Sequence, residues 1–360
     1  MNEYGDLEFD DEWQNTPIQK YYSYKRDQQN RTDIRLDQIR RALFESPTKS
    51  DYVAWDEFIN WQESMTIDDA WHFLEQFRNA GLSERTVKEY LGIVQSFLAM
   101  MMERGVVESN PAAYVFDEAE FDIGETSKLE LTVNELGEFI AGIPDPQFRA
   151  TALLLAKSGI RNGENNNIDL PHLHLNHPAY YRFLENRGIK IDQKIEDRPD
   201  SLYIPSEPTV GEEYKGEVRG AGNKRERDTV IPIDTETKFA LLDWLAVRPL
   251  TGPPHPLWVS RNNTRIHHHS FRTHIKDYAV KANLIDSTAD RRFSVHWFRH
   301  FFTTQLKPGY GDHDRYLEPT MIKYLRGDVD DDIMEIYTHE WGDTIRSEYT
   351  DAIYEFGIYK

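Results

Sequence analysis

The sequence predicts a mainly α-helical protein with a small β-sheet or hairpin, divided into two domains. Apolar residues recur at i, i+3 and i+4 spacing in the N-terminal third, most regularly over residues 87–101. An acidic segment at 116–130 separates this third from the remainder. Two β-like runs, 201–205 and 229–233, flank a charged loop that contains glycine. At 360 residues, the chain is also longer than one typical domain.

The first domain is predicted over residues 21–115 as a compact bundle of four or five helices. Its most regular helix begins after Ser83 and ends at Gly105, because a small polar residue favours the start of a helix and glycine favours its end. Asn110 and Pro111 are expected to stop the segment that follows.

The second domain is predicted over residues 131–345, with 116–130 as the linker. The small sheet is expected within the turn-rich region 168–235. An aromatic C-terminal tail at 346–360 either packs on its own domain or is exchanged with a neighbouring protomer, and the sequence leaves both options open. Helices are predicted at about 132–142, 146–158, 235–247, 268–282, 295–306, 318–326 and 330–337.

Composition excludes several classes of protein. The chain has no cysteine, so disulfides and thiolate metal sites are ruled out. No segment approaches the run of about 18 apolar residues that spans a membrane. Residues 1–20 form an acidic leader, predicted to be flexible, without the apolar core of a secretory signal. A cytoplasmic protein without a membrane partner is therefore expected.

The net charge of −20 bears on any nucleic-acid partner. A protein that binds nucleic acid usually carries a basic surface, and an acidic one should repel DNA at low salt. Either the chain does not bind DNA, or it is adapted to a salt-rich cytoplasm in which repulsion is screened. Acidic residues are spread along the whole length, which favours a halophilic protein.

The first candidate site residue is Arg161, which follows the helix end expected at Gly159. A guanidinium group presents five donors in a fixed fork that suits a phosphate. Glu164, three residues further on, is placed to pair with Arg161 and fix its orientation. The simpler interpretation is a surface salt bridge at helical spacing.

The second candidate is the segment 296–300, a predicted helix that carries His296, Arg299 and His300 on one face. Its Trp297 and Phe298 should then turn towards the core. A histidine and an arginine at i, i+3 can bind one phosphate from two directions. Metal binding by the two histidines is the rival hypothesis, but an arginine between the ligands would repel a cation.

A second group of histidines, His267, His268 and His269 with His274 nearby, is another possible metal site. Successive residues on a helix point about 100° apart, so three in a row seldom bind one ion. A polar, partly solvated helix start is the preferred interpretation, and contact with a DNA backbone is a further one.

The most basic stretch of the chain lies between the two β-like runs, at residues 215–227. It predicts a charged hairpin tip that enters a DNA groove and presents a lysine as a proton donor, or else a solvated loop. The residues proposed to contact DNA are Lys215, Arg219, Arg225 and Arg227.

Residues 159–164, 296–300 and 336–339 together resemble the motifs of the tyrosine recombinase (phage integrase) family. The first matches the family's G-[LI]-R-x-x-E, and the second matches H-x-L-R-H with Phe in place of Leu. The third matches the Y-T-H context of the nucleophile and selects Tyr337 over Tyr324 and Tyr349. The resemblance covers about residues 21–345.

The resemblance implies a helical core-binding (SAM-like) domain and a recombinase catalytic domain that clamp double-stranded DNA, without a metal or any other cofactor. It implies that Tyr337 attacks a phosphodiester and forms a 3′-phosphotyrosine. Arg161 and Arg299 would stabilise charge on phosphorus, His296 would assist, and Lys224 would protonate the leaving oxygen. Assembly as a homotetramer on DNA is also implied.

Two positions depart from the family pattern. The family's L-G-H becomes R-G-D, so Asp328 stands where His or Trp is usual, and His300 or His339 is the candidate to compensate. In the hairpin motif the first lysine is replaced by Ala221, which leaves Lys224 as the candidate acid and Lys215 as the reserve. This variation and the acidic composition favour an archaeal or archaeal-virus branch.

Two other functions remain open at this stage. A DNA-binding protein that keeps the fold could have lost its chemistry through the changes at Asp328 and Ala221. A metallohydrolase could use the histidines of 267–274 or the pair His296 and His300.

Overall fold

The computed structural model describes residues 15–29, 33–46, 51–124, 128–311, 313–328 and 344–359. The chain divides into two compact units, Met1–Glu125 and Thr126–Lys360. The boundary falls inside the acidic segment that the sequence singled out as a linker. No helix in the described ranges is both long enough and apolar enough to cross a membrane.

All regular secondary structure among the described residues of the first unit is helical. Its first helix continues into a π-helical turn, Tyr24–Gln28. Its core contains aromatic rings in edge-to-face contact, such as Trp55 on Phe73 and Trp61 on Phe97. This arrangement matches the attraction between the edge of one ring and the face of another. The helices are α1 (Pro17–Ser23), α2 (Asp33–Leu43), α3 (Trp55–Phe58), α4 (Ile67–Asn79), α5 (Glu84–Glu103) and α6 (Pro111–Glu118).

Two predicted boundaries in this unit are wrong. The leader was predicted to extend to residue 20, but α1 begins at Pro17 and buries Ile18 and Tyr21. Asn110 and Pro111 were expected to stop a segment, but they start α6. The Asn110 side chain accepts a hydrogen bond from the Ala113 amide at 3.1 Å. Pro111 occupies the first helical position, where its missing N–H costs nothing.

The second unit surrounds a three-stranded antiparallel sheet, in the order β1-β2-β5, with helices. A separate two-stranded hairpin, β3–β4, projects from the connection between β2 and β5. The strands are β1 (Leu173–His174), β2 (Ser201–Ile204), β3 (Glu213–Tyr214), β4 (Glu217–Val218) and β5 (Thr229–Pro232). The helices are α7 (Val133–Ala141), α8 (Pro146–Ser158), α9 (Asn162–Asn166), α10 (Pro178–Glu185), α11 (Thr235–Val247), α12 (His268–Lys281), α13 (Val295–Leu306), α14 (Pro319–Arg326) and α15 (Arg346–Ala352).

The mainly helical fold with a small sheet is confirmed, and six of the helices predicted in this unit match to within a residue or two. The helix predicted at 330–337 lies outside the described residues. Helix α8 is the centre of the unit, because it is buried along its whole length between α7, α11, α12 and α13.

Described residues of the C-terminal tail pack on their own domain. The hydroxyl of Tyr349 donates to the carbonyl of Lys157 at 2.8 Å. The Glu236 carboxylate accepts the backbone amides of Phe356 and Ile358 at 2.8 and 2.9 Å. The same carboxylate pairs with the buried Lys157 ammonium. One carboxylate therefore accepts hydrogen bonds from two tail amides and is also the counter-ion of a buried lysine.

A buried charged group holds the β3–β4 hairpin. Asp169 pairs with Arg219 at 3.0 Å and with Arg265 at 2.5 Å. Beside them, the Lys215 ammonium lies 3.0 Å from Nε2 of His172, which is almost completely buried. Burial, together with the positive charge of Lys215, lowers the pKa of His172 to about 4 against the opposing effect of Asp169.

This pKa predicts a loss of stability in mild acid. The unfolded chain takes up a proton on His172 near the ordinary pKa of 6.5, whereas the folded chain does so only near 4. The free energy of unfolding should therefore decrease as the pH is lowered through that window, by about 2 kcal/mol between pH 7 and pH 5. Urea unfolding of wild type and H172Q at both pH values tests this. The pH dependence should shrink in H172Q and stay unchanged in the control H269Q, and an equal dependence in all three chains would contradict it.

Candidate active site

Arg161 is positioned by the end of α8 and the start of α9. Gly159 ends α8 in the left-handed conformation with φ +63°, where a β-carbon would collide with the ring of Phe302. The chain then turns so that Arg161 becomes the N-cap of α9. Glu164 accepts the Arg161 backbone N–H at 2.8 Å and its guanidinium at 2.9 Å. The guanidinium is thereby held in one orientation at the surface of the unit.

Glu164 is a buried counter-ion shared by two arginines. Its other partner is Arg225, at 3.2 Å, and both of these side chains are completely buried. Burial alone would raise the pKa of Glu164, but the charge of Arg225 and the bond from the Arg161 amide outweigh it and hold the pKa below its usual value. The carboxylate is therefore charged at neutral pH.

Arg299 reaches the same place from α13. Its guanidinium donates to the carbonyls of Gly159 and Arg326, both at 2.8 Å, so it joins the ends of α8 and α14. The side chain is only 3% exposed. Burial, followed by repulsion from Arg161 and Arg326, lowers the pKa of Arg299 to about 10.

The two arginines converge on the carboxylate of Asp328. Oδ1 of Asp328 lies 3.1 Å from Nη2 of Arg161 and also pairs with Nη2 of Arg299. Oδ2 of the same carboxylate lies 3.1 Å from Nε of Arg326. Three guanidinium groups from distant parts of the sequence thus surround one small anion. Arg326 was missed by the sequence analysis, although its place two residues before Asp328 was a usable signal.

The histidines of α13 lie next to this group. The rings of His296 and His300 are 4.8 Å apart and nearly perpendicular, while Trp297 and Phe298 are buried. Partial burial lowers the pKa of His296, and the charges of Arg299, Arg326 and Arg161 lower it further. The His296 imidazole is therefore neutral at pH 7 and able to accept a proton.

His300 contacts a lysine. Its Nδ1 is 3.1 Å from the ammonium of Lys128, another residue that the sequence analysis missed. Burial and then the Lys128 charge lower the pKa of His300 to about 4. A neutral His300 next to a lysine is poorly suited to compensate for Asp328 as a cationic donor.

The basic stretch separates into surface and interior residues. The carbonyl of Lys224 accepts from the Arg161 guanidinium at 3.0 Å, which places this exposed lysine beside the site. Lys215, the reserve candidate, instead has its ammonium against His172. Arg227 is exposed, as a DNA contact requires.

Two of the predicted DNA contacts are wrong. Arg219 is fully buried against Asp169, and Arg225 is fully buried against Glu164 and the carbonyl of Leu325. Both guanidinium groups serve as internal counter-ions, because a buried carboxylate needs a positive partner. Neither is on the surface where a DNA backbone could reach it.

The proposed nucleophile Tyr337 and the neighbouring His339 lie outside the described residues. The two tyrosines that compete with it are both buried and bonded. Tyr324 donates to the carbonyl of Val230 at 3.3 Å, and Tyr349 donates to that of Lys157. Burial raises the pKa of both phenols, so neither is suited to act as a nucleophile.

The second histidine group forms the start of α12. The rings of His267, His268 and His269 are 4.0 to 5.2 Å apart, and His267 caps the helix through its Nδ1. Across the ranges that the structure describes, no three His, Asp or Glu side chains are placed to hold a metal ion.

The chain is similar in sequence to tyrosine recombinases over most of its length. No family model matches the chain. It is 22% identical to tyrosine recombinase XerC of Actinobacillus succinogenes over 327 residues, which cover 89% of this chain and 92% of the relative. XerC of Haemophilus influenzae (strain KW20) is 21% identical over 330 residues, at 90% and 92% coverage.

Solved structures show the same fold. The Tn1549 transposon integrase, in complex with a circular intermediate DNA, superposes with a TM-score of 0.59 at 16% identity, covering 92% of this chain and 97% of that one. A lambda integrase tetramer bound to a Holliday junction gives 0.54 at 13% identity, with 88% and 77% coverage. The chain therefore shares the fold of these integrases and is similar in sequence to the XerC recombinases.

The shared counter-ion generates a prediction about stability. Replacing Glu164 with Gln keeps the shape of the side chain but leaves Arg225 buried without a negative partner. The free energy of unfolding should fall by about 3–5 kcal/mol, the usual cost of removing one member of a buried ion pair. Denaturant unfolding of E164Q measures this.

The matched control is the exposed Glu185 of α10, for which E185Q should stay within about 0.5 kcal/mol of wild type. Equal stabilities of E164Q and E185Q would contradict the role assigned to Glu164.

Proposed function

We propose that this protein is a site-specific DNA recombinase that breaks and rejoins DNA through a 3′-phosphotyrosine formed by Tyr337. One observation carries the proposal: Arg161 and Arg299, which are 138 residues apart in sequence, bind the same carboxylate oxygen. Two guanidinium groups that bind one carboxylate are also suited to bind the non-bridging oxygens of a phosphodiester, which likewise carry a single negative charge. The XerC relatives support the recombinase class.

In the cleavage step, the Tyr337 oxygen forms a bond to phosphorus and the 5′-oxygen leaves. Arg161 and Arg299 neutralise the charge on the five-coordinate phosphorus. The neutral imidazole of His296 accepts the phenol proton, and Lys224 protonates the departing 5′-oxygen. In the second step, another 5′-hydroxyl attacks the phosphotyrosine, so the bond is remade without an external energy source.

The DNA partner and the assembly follow from the relatives. The Tn1549 and lambda integrases were solved on DNA, and lambda integrase as a tetramer on a Holliday junction. We infer that this chain also binds double-stranded DNA, that four copies assemble on it, and that it does so in the cytoplasm. The tail at 346–360 packs in cis in the single chain, so an exchange between protomers would have to replace the contacts of Tyr349 and Glu236.

Covalent trapping tests the reaction. A pool of duplexes with randomised arms, each nicked so that the cleaved strand cannot be resealed, is incubated with the protein and separated in SDS. Wild type should form a protein–DNA adduct, Y337F should form none, and R299Q should be slower by at least about 100-fold, as for loss of one oxyanion donor. R182Q, at an exposed position of α10, is the matched control.

An adduct that persists in Y337F would overturn the assignment of the nucleophile. Stable, sequence-selective DNA binding by wild type without any adduct would instead favour a DNA-binding protein that has lost its chemistry.

The finer assignment to an archaeal or archaeal-virus branch rests on the acidic composition and on the departures at Asp328 and Ala221, since the relatives named above are bacterial. A salt-adapted protein should be stabilised by salt, because about 1 M salt shortens the screening length to about 3 Å and removes repulsion among the surface carboxylates. We expect both the melting temperature and the trapping yield to rise between about 0.1 and 2 M KCl. A fall in both the melting temperature and the trapping yield would contradict the halophile hypothesis but not the recombinase assignment.

A further inference from the structure

A third arginine lies beside Arg161 and Arg299. Arg326 is the last residue of α14, and Gly327 follows it in the left-handed conformation with φ +65°. The carbonyl of Arg326 accepts from the Arg299 guanidinium at 2.8 Å, so the two residues are fixed relative to each other. The Arg326 side chain is 25% exposed and points its Nε to within 3.1 Å of Asp328.

The Nε of Arg326 is buried, yet it makes no aligned hydrogen bond in the described residues. Nε of Arg326 and Oδ2 of Asp328 form an ion pair, but the N–H group is not aligned with the oxygen as a hydrogen bond requires. By contrast, Oδ1 of the same carboxylate takes both Arg161 and Arg299. A donor at this position is therefore available for an anion whose oxygens are spread more widely than those of a carboxylate.

The carboxylate of Asp328 has the charge and the two-oxygen shape of a phosphodiester's non-bridging oxygens. One of its oxygens is held by two guanidinium groups and the other by a third. An anion held in this way occupies the place that the scissile phosphate needs. A carboxylate and a phosphodiester cannot share that place, since two like charges a few ångströms apart repel strongly.

The local charge still favours an incoming anion. Four guanidinium groups (Arg161, Arg225, Arg299 and Arg326) face two carboxylates (Glu164 and Asp328), which leaves 4 − 2 = 2 positive charges. Asp328 is 27% exposed and follows Gly327 on the chain, whereas Glu164 is completely buried. Asp328 is thus the partner that can leave, and Glu164 is the one that stays.

We propose that Arg326 is a third phosphate-binding residue of this recombinase, and that Asp328 occupies the phosphate position until DNA displaces it. The proposal rests on the function proposed above. When the phosphate enters, Arg161 and Arg299 transfer from the carboxylate to one non-bridging oxygen, and Arg326 binds the other. Arg326 supplies a hydrogen-bond donor to the phosphate, which an ionised aspartate at position 328 cannot supply.

Inorganic phosphate tests the anion site without any knowledge of the DNA target. Binding is measured from the rise in melting temperature with phosphate, at constant ionic strength set by KCl. D328N should bind phosphate at least about tenfold more tightly than wild type, because the competing charge is gone. D328N/R326Q should lose most of that gain, whereas D328N/R182Q should keep it.

Equal phosphate affinity of wild type and D328N would overturn the displacement, and equal affinity of D328N and D328N/R326Q would overturn the role of Arg326. D328S replaces D328N throughout if the latter fails to fold, as judged by circular dichroism.

Covalent trapping tests the same residue during the reaction. R326Q should reduce the trapping rate by about 100-fold with a change in DNA affinity of less than about threefold, and R326K should recover part of the rate. Unchanged trapping by R326Q, with trapping abolished in Y337F, would reject the inference and keep the proposed function. If wild type forms no adduct, the proposed function fails, and the phosphate titration still decides whether the three arginines form an anion site.

Discussion

The structure of the site depends on one interaction, the pairing of Glu164 with both Arg161 and Arg225. Two of the four guanidinium groups here, those of Arg225 and Arg299, are almost fully removed from water, which is costly unless a negative partner accompanies them. Glu164 provides that partner from a fully buried position, so the positive group can exist before any DNA arrives. Without it, repulsion among the arginines would open the junction between α8, α13 and α14.

Two left-handed glycines make that junction possible. Gly159 lets α8 end so closely against α13 that the carbonyl of Gly159 becomes an acceptor for Arg299. Gly327 ends α14 beside Arg225, where a β-carbon would lie 2.7 Å from the guanidinium carbon. Any other residue at either position would strain the backbone and displace a neighbour, and the arginines would then no longer converge on one carboxylate.

Local sequence signals predicted the fold better than they predicted the site. Helical periodicity located α5, α8, α11 and α13, and the i, i+3 spacing predicted the Arg161–Glu164 pair. The fates of Arg219 and Arg225 could not be predicted in the same way. Each is buried by a carboxylate from a different segment, Asp169 or Glu164, which lies 50 or 61 residues away. Charge in a sequence does not reveal whether its partner will be water, DNA or another side chain. For the same reason, the basic stretch appeared to be a uniform DNA-binding tip, although only part of it is exposed.

The acidic composition and the basic site are compatible because they act over different distances. Repulsion between a net charge of −20 and DNA acts through solvent, where salt screens it. The pairing of a phosphate with Arg161, Arg299 and Arg326 acts at contact, where screening is weak and burial strengthens the attraction.

Asp328 adds a further condition, because an anion must displace an internal carboxylate before it binds. A singly charged anion of the solvent gains little by that exchange. A DNA phosphate brought in by a whole protein–DNA interface has additional binding energy with which to drive it. The aspartate therefore favours a docked duplex over free anions at the same three arginines.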